Sequence, residues 1–509
     1  MPSLKRMTSN IAAQVVAVAA SVIDRIILVG LLLRSWGADV FSDYSVVQSW
    51  ASLLLIAELG IQFYFQNVQQ AAFVARDKAA FRRASAIHLG LILVIAGGVA
   101  LVFTILAAIG ATDGLLHLTR IDAQTGRAML WMIGIGNLLT IVRSTTTTIY
   151  TAAGDFAYAV ILAAAVLVLN TLASLAAVAL GAGPLTLAAL FLGIGGAASL
   201  VFCLWDVRRR YPDWVAAPAR PNLPELRAAA VHIKWYSLQI VAPTVWLQAP
   251  ILVFNAFRVS GHDITSFLLI RTMVNQIRQS FQFAAVGAGL EIATLAHGGD
   301  FAHAWRLSAR VGMLTTVLCA ASVAGVLIFG ETVTLYWTGD ATLFSVPIAI
   351  FMLAPLLAVA PLQQPVALLQ YANMSLAPGL QRLLQICLGP VMCVGGQALY
   401  GVEGLVIGLA LAEILANWAL VPLLARMPMF ADLGRYCLVA LAAAAGATAL
   451  CGLTGFGLMR FFPSISLVAM AGKMGIWGVL IVAPLVLWTL PEQVRAALRE
   501  RIRRLAFSR

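Results

Sequence analysis

The chain has 509 residues, of which 61% are hydrophobic and only 11% charged, and its mean hydropathy is +0.93. Soluble proteins of this size carry about 25% charged residues, so this composition excludes a water-soluble globular protein. The six cysteines lie within or beside apolar runs and show neither metal-ligand spacing nor a paired framework, so neither a metal site nor a disulfide scaffold is expected.

Apolar runs long enough to cross a bilayer follow one another along the chain. A spanning helix needs about 20 apolar residues, and its backbone polar groups must be satisfied within the segment. The first run follows Lys5 and Arg6, as in a signal peptide, but its length and its Asp24-Arg25 pair predict a retained helix. The predicted helices are 11–33, 44–70, 85–110, 128–150, 156–181, 184–206, 235–257, 264–296, 307–330, 343–370, 380–400, 404–425, 435–456 and 464–490.

The basic residues predict which side of the membrane each loop faces. With the N-terminus in the cytoplasm, 23 lysines and arginines belong to cytoplasmic loops and ends, Arg382 among them, and 5 to the opposite side. This asymmetry follows the positive-inside rule and places both termini in the cytoplasm. The net charge of +12 then predicts attraction to anionic membrane lipids, with no nucleic-acid partner. The tail predicts an amphipathic helix on the inner membrane surface.

A short motif, Arg-x-x-Gly-x-Asp, occurs at 34–39 and again at 258–263. Each copy follows a predicted outward-going helix, and six helices precede the second copy, which predicts a parallel repeat. The fold class is therefore an all-α polytopic membrane protein of about 14 transmembrane helices, with two six-helix lobes and a terminal helix pair. The predicted domains are an N-terminal lobe (1–206), a cytoplasmic linker (207–234), a C-terminal lobe (235–426), an extra helix pair (427–490) and a basic tail (491–509).

Several predicted helices carry polar and charged residues on one face. An arginine at the centre of a span costs roughly 2.5–3.5 kcal/mol, so it usually faces a cavity or a partner. Polar contacts that join helices are the alternative, each worth about 0.6 kcal/mol. Residues three, four and seven apart share a helix face, and on this basis the candidate substrate-binding residues are Arg25, Arg143, Arg271, Asn275, Arg278 and Gln282.

Acidic residues within the spans are candidates for ion coupling. Asp24 and Glu58 either pair with Arg25 or carry a proton, and the coupling ion stays open between a proton and sodium. Glu413 lies closer to a helix end and is interpreted as structural. No catalytic residue, metal ligand or cofactor is predicted.

Three stretches carry a family resemblance: 33–44, 267–278 and Ala57-Glu58-Leu59-Gly60-Ile61. They resemble the polysaccharide-transport branch of the multidrug/oligosaccharidyl-lipid/polysaccharide exporter superfamily, the bacterial O-antigen flippases. The resemblance, which extends to helix number and repeat, implies that an isoprenoid-diphosphate-linked oligosaccharide is moved from the cytoplasmic to the outer leaflet of the inner membrane by alternating access. It also implies a setting in lipopolysaccharide synthesis, and polysaccharide-assembly proteins as partners.

Three alternatives remain open. A drug/cation antiporter of the same superfamily would favour an acidic cavity, whereas guanidinium groups bind phosphate through paired hydrogen bonds. A cell-wall lipid-precursor flippase would share the helix number and the cavity charge. An integral-membrane polymerase, ligase or acyltransferase would need paired acids or histidines at an aqueous face, and the longest outer loop, 111–127, has no compelling catalytic arrangement.

Overall fold

A computed structural model describes residues 4–371, 374, 376–461 and 467–489 of the chain. Within these residues all regular structure is helical, and 10 segments are long and apolar enough to cross a membrane. Two of these segments each contain two helices, which are separated by non-helical backbone at Gly37 in one and at Tyr400 and Gly401 in the other. The predicted all-α polytopic membrane fold is confirmed.

The helices follow the predicted order, with shifted ends. The first are α1 (4–36), α2 (38–74), α3 (Lys78–Ala108), α4 (Ala123–Ala152), α5 (Phe156–Ala179), α6 (Pro184–Arg210) and α7 (Leu223–Ala256). They are followed by α8 (Gly261–His297), α9 (Phe301–Thr338), α10 (Val346–Tyr371), α11 (376–399), α12 (402–418), α13 (Leu433–Phe461) and α14 (467–489). The predicted basic tail at 491–509 lies outside the described residues.

Side-chain caps explain where several helices begin. Asp77, Asp122 and Asp300 each accept a hydrogen bond from a backbone N–H in the first turn of α3, α4 and α9. At α7, Asn222 and Glu225 form a complete capping box. Such caps contribute about 1 kcal/mol each. Because of this cap α7 starts at Leu223 rather than at the predicted residue 235, and the irregular part of the linker is correspondingly shorter.

The chain divides into two compact units, residues 4–265 with 385–402 and residues 266–384 with 403–489. In the first unit α4 is central and packs against α2, α3, α5 and α6. In the second unit α9 packs against α10, α13 and α14. The lobe boundaries inferred from the sequence repeat stay a prediction.

The linker between α6 and α7 is fastened to the start of α3. Lys78 Nζ lies 2.8 Å from Asp213 Oδ2, and Arg83 binds both carboxylate oxygens of Glu225, at 3.0 and 2.9 Å. These hydrogen bonds lower the pKa of Asp213 and of Glu225 below their usual values. All four residues belong to segments that the sequence predicts to face the cytoplasm, and the side of the membrane on which they lie stays a prediction.

Candidate functional site

Asp24 and Arg25 lie in a π-helical segment, Asp24–Leu28, inside α1. Such segments are rare and occur frequently at functional sites. Thr171 of α5 donates a hydrogen bond of 2.6 Å to Asp24 Oδ1, and both Asp24 and Arg25 are half-buried. Asp24 is therefore held by a neutral hydroxyl group as well as lying next to a cation.

Glu58 lies at a break in α2. A 3-10 turn, Leu53–Glu58, is followed by two left-handed residues, Leu59 with φ 50° and Gly60 with φ 70°. A Cβ atom on Gly60 would lie 2.4 Å from the backbone carbonyl carbon of Tyr236 in α7. The Glu-Leu-Gly turn therefore interrupts α2 and brings the backbone of α7 against the interruption, beside the half-buried Glu58.

Arg143 lies within α4 and has neutral hydrogen-bond acceptors. Its Nη1 donates to Ser199 Oγ at 2.9 Å and to the carbonyl oxygen of Gly195 at 3.3 Å. Gly195 belongs to a second π segment, Phe191–Ala198, in α6. No carboxylate forms a salt bridge with Arg143 in the part of the chain that the structure describes. The half-buried guanidinium is thus a cation in an apolar span without a counterion among these residues.

The candidate residues of α8 belong to the second unit, apart from the side chain of Gln282, which lies outside the described side chains. Arg271 lies with its guanidinium 5.6 Å from the centroid of the Phe267 ring, a distance typical of a cation–π contact. Asn275 and Arg278 are half-buried on the same helix. Because Arg25 and Arg143 belong to the first unit, a single cavity lined by all four arginines stays a prediction.

Arg278 forms an ion pair inside the second unit. Its Nη2 lies 2.5 Å from Oε2 of Glu413 in α12, and the Glu413 side chain is only 8% exposed. Asn417, one turn further along α12, donates to the carbonyl oxygen of Glu413 at 2.8 Å and accepts from Gln381 Nε2 at 2.5 Å. Glu413 therefore has a specific charged partner, which the distance from the helix end alone did not indicate.

Arg382 is a functional candidate that the sequence did not single out. It lies in α11 beside Gln381, within electrostatic range of both Glu413 and Arg278, and it is half-buried. The sequence-based boundary at residue 380 placed it at the cytoplasmic helix end, where a basic residue is expected. The neighbouring Gln381 was the sequence signal that could have identified Arg382, because two adjacent polar residues stand there at the start of an apolar run.

The two Arg-x-x-Gly-x-Asp copies contact each other in the first unit. Gly37 has φ 77°, which ends α1, whereas in the second copy the left-handed residue is Arg258 with φ 53°. A Cβ atom on Gly261 would lie 2.6 Å from Oδ1 of Asp39. In the first copy, glycine is therefore required at Gly37 by its left-handed backbone conformation. In the second copy, glycine is required at Gly261 because Asp39 of the first copy lies close to it.

The loop before α4 is pinned at the same end of the unit. Asp43 accepts hydrogen bonds from the backbone N–H groups of residues 119–121, at distances from 2.7 to 3.0 Å. Asn255 accepts from the N–H of His117 at 3.1 Å and donates to the carbonyl oxygen of Leu115 at 2.7 Å. These contacts border a polar pocket of about 290 Å³, whose lining includes Asp43, His117, Asn255 and Arg258.

No family model and no curated protein matches the sequence, but solved structures match most of the chain. A lipid II flippase MurJ in an inward closed conformation is 9% identical, with a TM-score of 0.65 over 95% of this chain and 98% of that one. A MATE transporter in complex with MaL6 is 16% identical, with a TM-score of 0.59 over 84% and 95%. An outward-facing multidrug resistance MATE transporter of the MOP superfamily is 17% identical, with a TM-score of 0.58 over 84% and 95%. At these identities the likeness is one of fold, so the chain has the fold that the MurJ and MATE structures share.

Proposed function

We propose that this chain is a flippase that moves an isoprenoid-diphosphate-linked oligosaccharide from the cytoplasmic to the outer leaflet by alternating access. The observation that carries the proposal is Arg143, a cation within an apolar span whose hydrogen bonds go to neutral oxygens. A guanidinium at the centre of a spanning helix costs roughly 2.5–3.5 kcal/mol to insert. An anionic substrate offsets this cost, and a diphosphate can accept paired hydrogen bonds from the guanidinium.

A second candidate is a flippase for a cell-wall lipid precursor. The overlap with the lipid II flippase, with a TM-score of 0.65 over 95% of the chain, exceeds that with the MATE transporter, with 0.59 over 84%. Both candidates share the same anionic linkage and differ in the glycan. A drug/cation antiporter is less well supported, because the positive charge of Arg143 would repel a cationic drug.

The test is a flipping assay in proteoliposomes, with a fluorescent isoprenoid-diphosphate oligosaccharide and with the corresponding neutral isoprenoid glycoside. We expect the protein to flip the diphosphate and to leave the neutral lipid in place. Arg143→Gln should slow flipping roughly tenfold or more, because a hydrogen bond to a charged group contributes about 1.5–3 kcal/mol. Arg460→Gln, at an exposed arginine near the end of α13, is the matched control and should behave as wild type.

Equal transport of the neutral and the diphosphate lipid would contradict the proposal. Preference for an O-antigen repeat unit or for a cell-wall precursor as the glycan decides between the two flippase candidates.

A further inference from the structure

A mainly apolar pocket of about 270 Å³ lies between α2, α3 and the start of α7. Its charged lining residues are Arg83 and Glu225, and all three helices contribute apolar side chains. Phe65 and Ile87 form part of the inner wall and are 4% and 5% exposed. Arg83 and Leu226, in contrast, are exposed, so the pocket opens to the surface at this end. Such a lining favours hydrocarbon, because a polar group buried without a partner is costly.

The pocket has the length and the direction of a lipid chain. Its α3 lining includes Arg83 at one end and Leu91 at the other, a span of about 12 Å at the helical rise of 1.5 Å per residue. The sequence predicts that the membrane span of α3 begins at residue 85. On this prediction the mouth lies at the level of the lipid head groups. The apolar part then extends towards the bilayer centre, as the lipid tails of the same leaflet do.

The linker before α7 lies directly on α3 beside the mouth of the pocket. The backbone N–H of Ala219 donates to the carbonyl oxygen of Ala86 at 2.9 Å. A Cβ atom on Gly90 would clash with the carbonyl oxygen of Ala219. Arg83 Nη2, besides its ion pair, donates to the carbonyl oxygen of Arg220 at 3.4 Å. The edge of the pocket is therefore held by backbone contacts and is a built part of the first unit.

The mouth has an excess of positive charge. Arg83 offsets the charge of Glu225, because both carboxylate oxygens accept hydrogen bonds from it. Arg220 and Arg227 are each adjacent in the chain to a lining residue, and both are exposed. Neither forms a salt bridge with another residue that the structure describes. Each such arginine strengthens binding of an anionic lipid roughly fivefold.

We infer that the pocket binds one acyl chain of an anionic phospholipid, whose phosphate group lies at the mouth near Arg220 and Arg227. The apolar lining accepts the chain, and the two arginines attract the head group. An isoprenoid diphosphate fits less well, because paired hydrogen bonds to phosphate need a guanidinium fork held in place. The fork of Arg83 is occupied by Glu225. The inference goes beyond the proposed flippase function and does not depend on it.

The first test measures lipid binding to the purified full-length protein in detergent by native mass spectrometry. The probes are dioleoyl phosphatidylglycerol and dioleoyl phosphatidylcholine, which have the same chains and differ in head-group charge. We expect the anionic lipid to bind roughly tenfold more tightly. Exchange of both Arg220 and Arg227 for Gln should remove most of this preference. The matched control exchanges Arg306 and Arg310, two exposed arginines of the second unit, for Gln and should keep it.

The second test locates the bound chain by photo-crosslinking, with a phosphatidylglycerol that carries a diazirine on one acyl chain. We expect the label within residues 64–68, 80–91 and 221–229, which contain the lining. Val68→Trp fills part of the pocket and should reduce labelling there severalfold. Val74→Trp, at a side chain that is 77% exposed on the same helix and outside the lining, is the matched control and should label as wild type.

Equal affinity for the two phospholipids, or labelling outside these three ranges, would overturn the inference and leave the proposed flippase function standing. A preference that survives the exchange of Arg220 and Arg227 would also refute it. Farnesyl diphosphate serves as a competitor in the crosslinking test. Loss of the label on its addition would assign the pocket to an isoprenoid diphosphate and overturn the phospholipid assignment. If Val68→Trp does not accumulate, the position of the label in wild type decides.

Discussion

Replacement of Gly60 by alanine is a sharp test of the break in α2. The residue has φ 70°, and an added Cβ atom would lie 2.4 Å from the carbonyl carbon of Tyr236 and 2.7 Å from the backbone nitrogen of Ser237. The left-handed conformation costs a non-glycine residue about 1–2 kcal/mol. Overpacking typically costs about 1–3 kcal/mol, and a side-chain rotation cannot relieve a clash with backbone. Together we expect Gly60→Ala to destabilise the protein by about 2–5 kcal/mol.

The measurement is the temperature at which half of the purified protein leaves the monodisperse peak on size-exclusion chromatography. Gly98→Ala, in the interior of α3, is the matched control, because no described atom apart from its chain neighbours and the adjacent backbone of its own helix lies within 4 Å of the added Cβ. Alanine is favoured over glycine in a helix by about 1 kcal/mol, so this control should raise the midpoint while Gly60→Ala lowers it. A midpoint temperature for Gly60→Ala that equals or exceeds that of wild type would refute the packing of α7 against the break.

Three further predictions concern charge and topology. Arg143→Lys should slow flipping of the diphosphate lipid at normal abundance, because lysine lacks the guanidinium fork; full rescue of transport by lysine would instead favour a bracing role. A carboxyl group whose pKa is lowered by folding stabilises the folded protein at pH values above its ordinary pKa. This stabilisation is lost as the pH falls through the pKa of the folded state, so the contacts of Asp213 and Glu225 should hold at neutral pH. Below about pH 4, the linker should become susceptible to an acid-stable protease, and unchanged cleavage would contradict this. In a background without the native cysteines, Ala79→Cys should be shielded from an impermeant thiol reagent in intact cells and Gly339→Cys should label; labelling of Ala79→Cys would overturn the topology.

The helices were predictable because the bilayer imposes one simple requirement on each span, a long apolar segment with its backbone bonded internally. The start of α7 was missed because the charged residues and prolines before residue 235 are also typical of a linker. The capping box of Asn222 and Glu225 was nevertheless present in the sequence as Asn-x-x-Glu, a pattern that favours a helix start.

The candidate site was less accessible to sequence reasoning, because helical periodicity relates residues on one helix and says nothing of which helices meet. Arg278 and Glu413 are far apart in the chain, and their ion pair depends on how α8 and α12 pack. Likewise, sequence symmetry suggested that Gly37 and Gly261 are equivalent. Their requirements differ physically, since only Gly37 has a left-handed backbone.

The pinned loop before α4 has a consequence for how the protein is made. Its hydrogen bonds to Asp43 join residues 76 to 78 positions apart, but those to Asn255 join residues 138 and 140 positions apart. During synthesis the loop can therefore meet Asp43 as soon as α3 has inserted, whereas Asn255 is translated only after the linker and most of α7. Through this interval the loop can form its hydrogen bonds to Asp43 but not those to Asn255. A chain arrested before α7 would then present these polar backbone groups to quality-control proteases, so insertion of the seventh helix is the step that completes this end of the first unit.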